Sequence, residues 1–224
     1  MGAAGNAVLE IYLGKEHGET VMEELRALGV TELIEGGPTT LFGRRVLGKG
    51  QNAVVIRCRH ETAEGEWACK LRRRDASRPS LLWEGYILRL VNGVGVGPRL
   101  LTFSRNVIVM EEVLGKPLNE SLNPDIARRL LEQARRLDVL GISHNELGRG
   151  GRHVVVRGGE PIILDFESAT INGSRSNVLQ LINALTGGAP ELRSAARRYK
   201  AERSDEAFRE LVEGVLRIVE KHAH

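Results

Sequence analysis

Cysteine is scarce in this chain of 224 residues, which contains only Cys58 and Cys69. Two thiols cannot build a framework of several disulfides or a four-thiolate zinc site, so small domains held together by either device are excluded. We expect both side chains to pack as small apolar groups. Because they fall on strands that we predict to be adjacent, the sequence leaves open whether they come within bonding range.

Long apolar runs are absent as well. No stretch approaches the roughly eighteen residues that a membrane-spanning helix needs. The first residues, Met1 to Gly5, lack a basic segment followed by an apolar one, which a secretory signal would require. We also find no internal repeat and no low-complexity tract. These absences predict a soluble cytoplasmic protein without a membrane partner.

The composition that is present suits a globular protein. Hydrophobic residues make up 42% of the chain and charged residues 27%. A chain of this length can bury one substantial core or two small lobes. The formal net charge of +3 favours phosphate-bearing partners, including RNA, without requiring them.

The hydrophobic periodicity predicts an α+β protein with two lobes. We predict an N-terminal helical extension over 1–39, with one helix at 19–28, then an N-terminal lobe over 40–114 and a minimal C-terminal lobe over 115–224. The first lobe has five antiparallel strands and one helix, and the second is mainly helical. The predicted strands are 40–47, 53–59, 66–71, 99–103 and 107–112, followed by a small hairpin at 154–156 and 162–164. The predicted helices of the lobes are 81–91, 125–140, 177–185 and 206–220.

A glycine-containing loop lies between the first two predicted strands. Glycines let a backbone bend closely over phosphate oxygens. A Rossmann turn or a Walker loop must open a helix, whereas a β-rich run follows here, so both are excluded. We expect a strand-loop-strand cover for nucleotide phosphates, although two glycines in a hairpin are more often only a turn. The predicted contact residues are Gly48, Lys49, Gly50, Gln51, Asn52, Ala53 and Val54.

A lysine follows a small and an apolar residue in Trp67-Ala68-Cys69-Lys70, as in the third strand of protein kinases. Such a lysine can reach the α- and β-phosphates of a nucleotide if another charge positions its ammonium. Glu84, inside the next predicted helix, is the expected partner. The alternative is that both charges lie on a solvated face.

Acidic residues and histidines cluster in the second half of the chain. Asp165 follows the apolar run Pro161 to Leu164, so it is a candidate metal ligand, whereas a single aspartate after a strand more often only caps a turn. About twenty residues earlier, His144-Asn145-Glu146-Leu147 resembles a kinase catalytic loop with Glu146 at the acidic position. Position 151 is a glycine where that pattern expects a metal-binding asparagine. His153, just before the Val154 strand, could bind metal or phosphate instead, or could simply end the loop.

In this order, the motifs make residues 40 to 220 similar to the protein-kinase-like superfamily, and more closely to small atypical kinases of the RIO type. Gly48-Lys49-Gly50-Gln51-Asn52-Ala53-Val54-Val55 resembles the RIO nucleotide loop, and Asp165-Phe166-Glu167-Ser168-Ala169 resembles the RIO metal-binding segment. The chain is also similar to a group of archaeal predicted serine/threonine kinases. The resemblance implies ATP and Mg²⁺ or Mn²⁺ as cofactors, and a hinge for adenine at Met110, Glu111 and Glu112.

The resemblance implies an ATP-dependent serine/threonine kinase that also phosphorylates itself, with Lys70, Glu146 and Asp165 as catalytic residues. An Ala-Pro-Glu element is missing, and few residues separate Asp165 from the next helix, so broad peptide phosphorylation is not expected. One alternative is a weakly catalytic ATP-binding scaffold or ATPase switch on a ribonucleoprotein or protein complex. A second alternative is a small-molecule kinase, because the segment from Val109 to Gly115 also resembles the hinge of those enzymes.

Overall fold

The computed structural model describes residues 9–149 and 151–222. They divide into two compact units. The first contains the described residues up to Arg89 together with Pro98–Glu112, and the second contains Leu90–Gly97 together with the described residues after Glu112. Among the described helices, none combines the length and the apolar character needed to cross a membrane.

The first unit is built on an antiparallel sheet of six strands. The elements are α1 (9–13), α2 (Lys15–Ala27), β1 (Val30–Ile34), β2 (Thr39–Leu41), β3 (Arg44–Val46), β4 (Gly48–Lys49), β5 (Ala53–His60), β6 (Trp67–Arg72), α3 (Leu82–Asn92), β7 (Leu100–Phe103) and β8 (Val107–Glu111). The strand order in the sheet is β1-β5-β6-β8-β7, with β4 also pairing with β5. The predicted antiparallel lobe with a single helix among its later strands is confirmed.

The N-terminal edge of this sheet differs from the prediction. The strand predicted over 40–47 is interrupted: β2 and β3 form a separate hairpin, and only β4 joins the sheet. The hairpin turns at Phe42 and Gly43, whose φ angles of 51° and 77° end any extended run. The C-terminal half of β5, which the predicted strand would have paired with, pairs with β1 instead. The boundary predicted at residue 40 falls inside the hairpin, and the division into domains stays a prediction.

The apolar core of the first unit lies on one face of the sheet. Successive side chains of a strand point to opposite faces. On β5 and β6 the core therefore takes alternate residues, and α1 and α2 supply the apolar residues that cover them. The core members from the strands include Val54, Ile56, Cys58, Trp67, Cys69 and Leu71, and those from the helices are Leu9, Tyr12, Leu13, Val21, Met22 and Leu25. The predicted N-terminal helix is thus an integral layer of this unit.

Cys58 and Cys69 form a disulfide within that core. Their Cα atoms are 6.0 Å apart, and both side chains are fully buried. Cys69 lies opposite Ile56 in the ladder, which makes the two cysteines diagonal neighbours on one face. Burial was expected, but bonding could not be decided without this register. Because disulfides persist mainly in oxidising compartments, the bond gives no support to a cytoplasmic location, which stays a prediction.

The second unit is mainly helical, as predicted. Its elements are β9 (Lys116–Pro117), a 3-10 helix (Leu118–Glu120), α4 (Pro124–Leu140), β10 (Ile142–Ser143), β11 (Val154–Arg157), β12 (Glu160–Ile163), β13 (Thr170–Ile171), α5 (Asn177–Thr186), a second 3-10 helix (Pro190–Leu192), α6 (Arg193–Glu202) and α7 (Asp205–His222). The predicted hairpin is present as β11 and β12. Helix α6 was missed because it lacks an apolar stripe: it contains three alanines, and Tyr199 is the one residue that it buries.

The longest predicted helix of this unit, α4, has clear end signals. The side chain of Asn123 accepts a hydrogen bond from the backbone N–H of Ile126, and Pro124 occupies the first turn. The helix ends at Gly141, whose φ of 76° is the left-handed conformation that favours glycine. The chain then leads directly into β10 and the predicted catalytic loop.

Candidate active site

The first unit brings the predicted lysine and glutamate together. Lys70 on β6 and Glu84 on α3 form an ion pair with an Nζ to Oε1 distance of 2.7 Å. Their exposed fractions are only 8% and 6%. Lys70 lies between the core residues Cys69 and Leu71 on the strand. Because successive side chains point to opposite faces, that of Lys70 lies on the face opposite the apolar core. We call these two residues the ammonium–carboxylate pair.

The predicted phosphate loop is divided between the two faces of the sheet. Gly48 pairs with Val55, and Val55 pairs with Lys70, so these three residues share a face. Lys49 pairs with Val54, which belongs to the core on the other face. Gly48 therefore lies on the same face as Lys70, with Val55 between them, whereas the side chain of Lys49 is directed to the opposite side of the sheet.

The tip of this loop is a tight turn. The backbone N–H of Gly50 donates to the carbonyl oxygen of Ala53 over 2.8 Å, and Gln51 is exposed between them. The side chain of Asn52 is buried, and its oxygen accepts hydrogen bonds from the backbone N–H and the hydroxyl of Ser77. Asn52 therefore anchors the segment after β6, a role that the sequence did not indicate.

The predicted hinge, Met110, Glu111 and Glu112, closes β8. The carboxylate of Glu112 accepts two hydrogen bonds from Arg57, over 2.7 and 2.5 Å. This interaction raises the pKa of the Arg57 guanidinium. The backbone N–H of Glu111 donates to the carbonyl oxygen of Arg99, and the backbone N–H of Arg99 donates to the carboxylate of Glu111. The two hinge carboxylates thus hold the end of the sheet.

The second unit brings together Glu146, His153 and Asp165, which we call the carboxylate–imidazole cluster. The distance from His153 Nε2 to Glu146 Oε2 is 3.8 Å, and that from His153 Nδ1 to Asp165 Oδ2 is 3.7 Å. One ligand atom from each residue lies within 4.8 Å of the other two. All three side chains are partly buried. Glu146 reaches the cluster from the loop after β10.

The hairpin of β11 and β12 explains why His153 and Asp165 meet. Val154, directly after the histidine, is paired with Ile163, and the N–H of Leu164 donates to the carbonyl oxygen of His153 over 2.7 Å. The chain then turns at Asp165, which has a φ of 64°. A non-glycine residue in this left-handed region is uncommon and is favoured by the short polar side chain of aspartate.

Glu146 has a further neighbour. Its Oε1 atom accepts a hydrogen bond from the Arg149 guanidinium over 2.6 Å. The side chain of Arg149 is 68% exposed. Because exposed ion pairs are screened by water and contribute less than about 1 kcal/mol, this contact is weak and replaceable. Oε2, by contrast, faces the imidazole of His153.

His144 supports the cluster from the core. It is fully buried, its Nε2–H donates to the carbonyl oxygen of Leu164 over 2.9 Å, and its ring packs edge-on against Phe166 at 5.0 Å. Burial lowers the pKa of His144, which keeps the imidazole neutral. The predicted catalytic loop and the predicted metal-binding segment are therefore joined through this ring.

Two residues that the sequence did not single out fix this loop. Asn177, at the start of α5, accepts a hydrogen bond from the backbone N–H of His144 over 2.8 Å and donates to the carbonyl oxygen of Ile142 over 2.7 Å. It also donates to the buried carboxylate of Asp138 over 2.8 Å. An asparagine at a helix start is usually a cap, so its sequence signal pointed elsewhere.

Each unit by itself carries groups that can bind one part of a metal–nucleotide complex. A buried ammonium can bind phosphate oxygens, and a neighbouring carboxylate keeps it in place. Two carboxylates and an imidazole are common ligands of divalent cations, so the residues of the carboxylate–imidazole cluster fit a metal ion. Each unit therefore supplies a different part of the chemistry that phosphoryl transfer requires.

No protein-family model matches the chain, and no curated protein matches it. Among solved structures, it is similar to the Rio2 kinase of Chaetomium thermophilum in an ADP/Mg²⁺-phosphoaspartate complex, with 16% identity and a TM-score of 0.56. That similarity covers 93% of this chain and 67% of the other. A second similar structure is the Cydia pomonella granulovirus kinase PK-1, with 14% identity, coverage of 68% and 56%, and a TM-score of 0.47. The similarity to Rio2 gives the chain a protein-kinase-like fold of the RIO type.

Proposed function

We propose that the chain is an ATP-dependent phosphotransferase of the RIO kind that phosphorylates a protein serine or threonine, including one of its own. The observation that supports this most is the buried ammonium–carboxylate pair, with its 2.7 Å contact. Burying two charges is costly, and apolar residues of the same volume often serve stability as well. A function for the pair explains why it is buried. ADP and Mg²⁺ in the Rio2 complex agree with this proposal.

The first unit would hold the nucleotide. Lys70 donates to the α- and β-phosphate oxygens, and Glu84 keeps its ammonium in position. The backbone around Gly48 and Gly50 covers the phosphates, and the backbone of the hinge from Met110 to Glu112 hydrogen-bonds adenine. Lys49 takes no part through its side chain, because its ladder partner lies in the core on the other face.

The second unit would hold the metal ion and orient the acceptor. Asp165 and His153 are the proposed ligands of Mg²⁺ or Mn²⁺, which neutralises developing phosphate charge when bound. Glu146 orients the acceptor hydroxyl and takes its proton late in the transfer. A bond forms between the hydroxyl oxygen and the γ-phosphorus, the bond to the β–γ bridging oxygen breaks, and ADP leaves.

The decisive experiment measures transfer of labelled phosphate from ATP, with the protein alone and with a protein extract. We expect Lys70→Ala to lose about 100-fold of the rate, because removal of one preorganised charge typically costs that much. The matched control is Lys200→Ala, which removes an exposed lysine from α6 and should label like wild type. Undiminished labelling of Lys70→Ala would contradict the proposal.

The chemical stability of the label identifies the acceptor. Phosphoserine and phosphothreonine survive hydroxylamine, whereas an acyl phosphate on an aspartate is released by it. The second case is relevant because the Rio2 complex contains phosphoaspartate. Release by hydroxylamine would mean that the acceptor is a carboxylate and not a hydroxyl group. The roles proposed for the first unit would be unchanged.

A second candidate function is a nucleotide-dependent switch or slow ATPase that acts on a protein or ribonucleoprotein complex. It is favoured by the short segment 166–176 between Asp165 and α5. Asn145 ties this segment down by donating to the carbonyl oxygen of Ser168 over 2.8 Å and to the hydroxyl of Thr170 over 3.1 Å. Little chain remains to hold a peptide. Phosphate release without any labelled protein would favour this candidate.

A further inference from the structure

The carboxylate–imidazole cluster differs in one respect from a site built for magnesium, because one of its three donors is a nitrogen. We propose that it binds a divalent first-row transition metal, such as Mn²⁺ or Co²⁺, more tightly than Mg²⁺, and that Glu146 is its third ligand. The inference rests on the proposed function only for the location at which a divalent ion is used.

The donor set carries this preference. Mg²⁺ prefers oxygen ligands in a near-ideal octahedron and gives up its waters reluctantly. Imidazole nitrogen is a softer donor that suits transition metals, whose affinity for mixed nitrogen and oxygen sites rises from Mn²⁺ towards Cu²⁺. With His153 between Glu146 and Asp165, an ion that rejects nitrogen would have at most two protein ligands in the cluster.

The distances fit one ion bound by all three residues. Ligands bonded to a metal at about 2.1 Å lie roughly 3.0 to 3.5 Å apart when they are adjacent. One ligand atom of each residue lies within 4.8 Å of the other two, so the cluster must contract by about 1 Å. At present Nε2 of His153 faces Glu146 and Nδ1 faces Asp165, so the ring must also turn to present a single nitrogen to the ion. The paired strands β11 and β12 already hold two of the ligands side by side.

Glu146 can be a ligand and still serve the acceptor. Oε2 is the atom that faces the imidazole, whereas Oε1 faces the exposed Arg149. A carboxylate that binds a metal through one oxygen leaves the other oxygen for the proton of the acceptor hydroxyl. The weak contact with Arg149 is the one that a substrate would displace.

The experiment compares metal affinities of the full chain without nucleotide, by calorimetry with Mg²⁺ and Mn²⁺. We expect at least ten-fold tighter binding of Mn²⁺ by wild type. His153→Asn offers an oxygen instead of a nitrogen and should lose ten-fold or more of the Mn²⁺ affinity while the Mg²⁺ affinity changes little. His17→Asn changes an imidazole in the first unit and is the matched control. Equal affinities of wild type for both ions, or an unchanged Mn²⁺ affinity in His153→Asn, would overturn the inference.

A spectroscopic measurement makes the result independent of affinity. Co²⁺ bound through an imidazole nitrogen absorbs visible light in a band that shifts when the nitrogen is replaced by oxygen. We expect this shift in His153→Asn and a weakened band in Glu146→Gln, with circular dichroism confirming that both variants are folded. A Co²⁺ spectrum identical in all three proteins would show that the imidazole only pairs with the carboxylates.

These measurements separate the inference from the proposed function. Tight Mn²⁺ binding through His153 without phosphoryl transfer in any metal would leave the metal site standing and contradict the kinase. Phosphoryl transfer that is equally fast with Mg²⁺ and Mn²⁺, together with equal affinities, would support the kinase and overturn the metal preference.

Discussion

The ammonium–carboxylate pair and the carboxylate–imidazole cluster show two ways of holding charge inside a protein. In the pair, a cation and an anion meet at 2.7 Å and are almost fully buried, so the fold itself neutralises the charge. In the cluster, two carboxylates face one imidazole at 3.7 and 3.8 Å, and the nearby guanidinium of Arg149 is mostly in solvent. The charges of the pair balance each other, whereas we expect a cation to complete the cluster. This difference predicts opposite responses to mutation and to metal.

Breaking the pair should have the largest effect on stability. Lys70→Ala leaves Glu84 as a buried charge without its ammonium, which typically costs about 3 to 5 kcal/mol. Urea unfolding measures the loss. The double variant Lys70→Met/Glu84→Leu should recover most of the stability, since it removes both charges, while phosphoryl transfer stays lost. A single variant as stable as wild type would mean that the pair is not held as tightly as its distance indicates.

Removing a residue that supports the carboxylate–imidazole cluster should have the second-largest effect on stability. Asn177→Leu removes the side-chain partner of the His144 N–H and of the Ile142 carbonyl oxygen, which should cost about 2 to 4 kcal/mol in total. Asp138 loses one hydrogen bond and keeps those from Ser176, Tyr199 and Arg203. The loop that carries Glu146 then loses its anchor, so we expect the Mn²⁺ affinity to fall about ten-fold. Calorimetry and urea unfolding measure the two effects. Asn183→Leu, on the same helix, is the control and should leave the affinity unchanged.

Metal should stabilise through the cluster and not through the pair. At a Mn²⁺ concentration of 100 times the dissociation constant, the folded state should gain about 2.7 kcal/mol, and a chelator should remove this gain. Thermal unfolding with and without Mn²⁺ measures it. We expect the gain to persist in Lys70→Met/Glu84→Leu and to vanish in Asp165→Asn. The reverse pattern would place the cation elsewhere.

The smallest effect concerns the exposed guanidinium beside the cluster. Arg149→Ala removes a cation that competes for Glu146, so the Mn²⁺ affinity should rise about two- to three-fold while stability changes by less than about 1 kcal/mol. Arg152→Ala removes an exposed charge from the same loop and is the control. A fall in affinity in Arg149→Ala would mean that the arginine orients Glu146 for the metal.

The pair and the hairpin were the most predictable parts of the site. Lys70 lies in a short apolar strand with a clear boundary, and Glu84 lies in an amphipathic helix, so periodicity alone assigned both elements. The juxtaposition of His153 with Asp165 follows from a hairpin whose two strands are apolar runs. These features are local in sequence, and the structure confirms the elements that carry them.

The features that were missed depend on contacts between distant residues. The residues of strand β1, Val-Thr-Glu-Leu-Ile, do not alternate between apolar and polar, so its place in the sheet comes from pairing with β5 and not from its own pattern. The opposite faces of Gly48 and Lys49 follow from the ladder register. Asn177 acquires its role from Asp138 and His144, which are 39 and 33 positions away. No local pattern in the sequence contains these relations.

The helices α1 and α2 have a practical consequence for work with shortened chains. They cover the apolar face of the sheet, where Val54, Ile56 and Leu71 would otherwise face water. A chain trimmed to begin at residue 40 would lose this cover and β1 together. It would expose an apolar sheet face and an unpaired edge strand, both of which promote aggregation. Loss of activity in such a fragment would report aggregation, so the chemistry of this protein is best studied with its N-terminal helices in place.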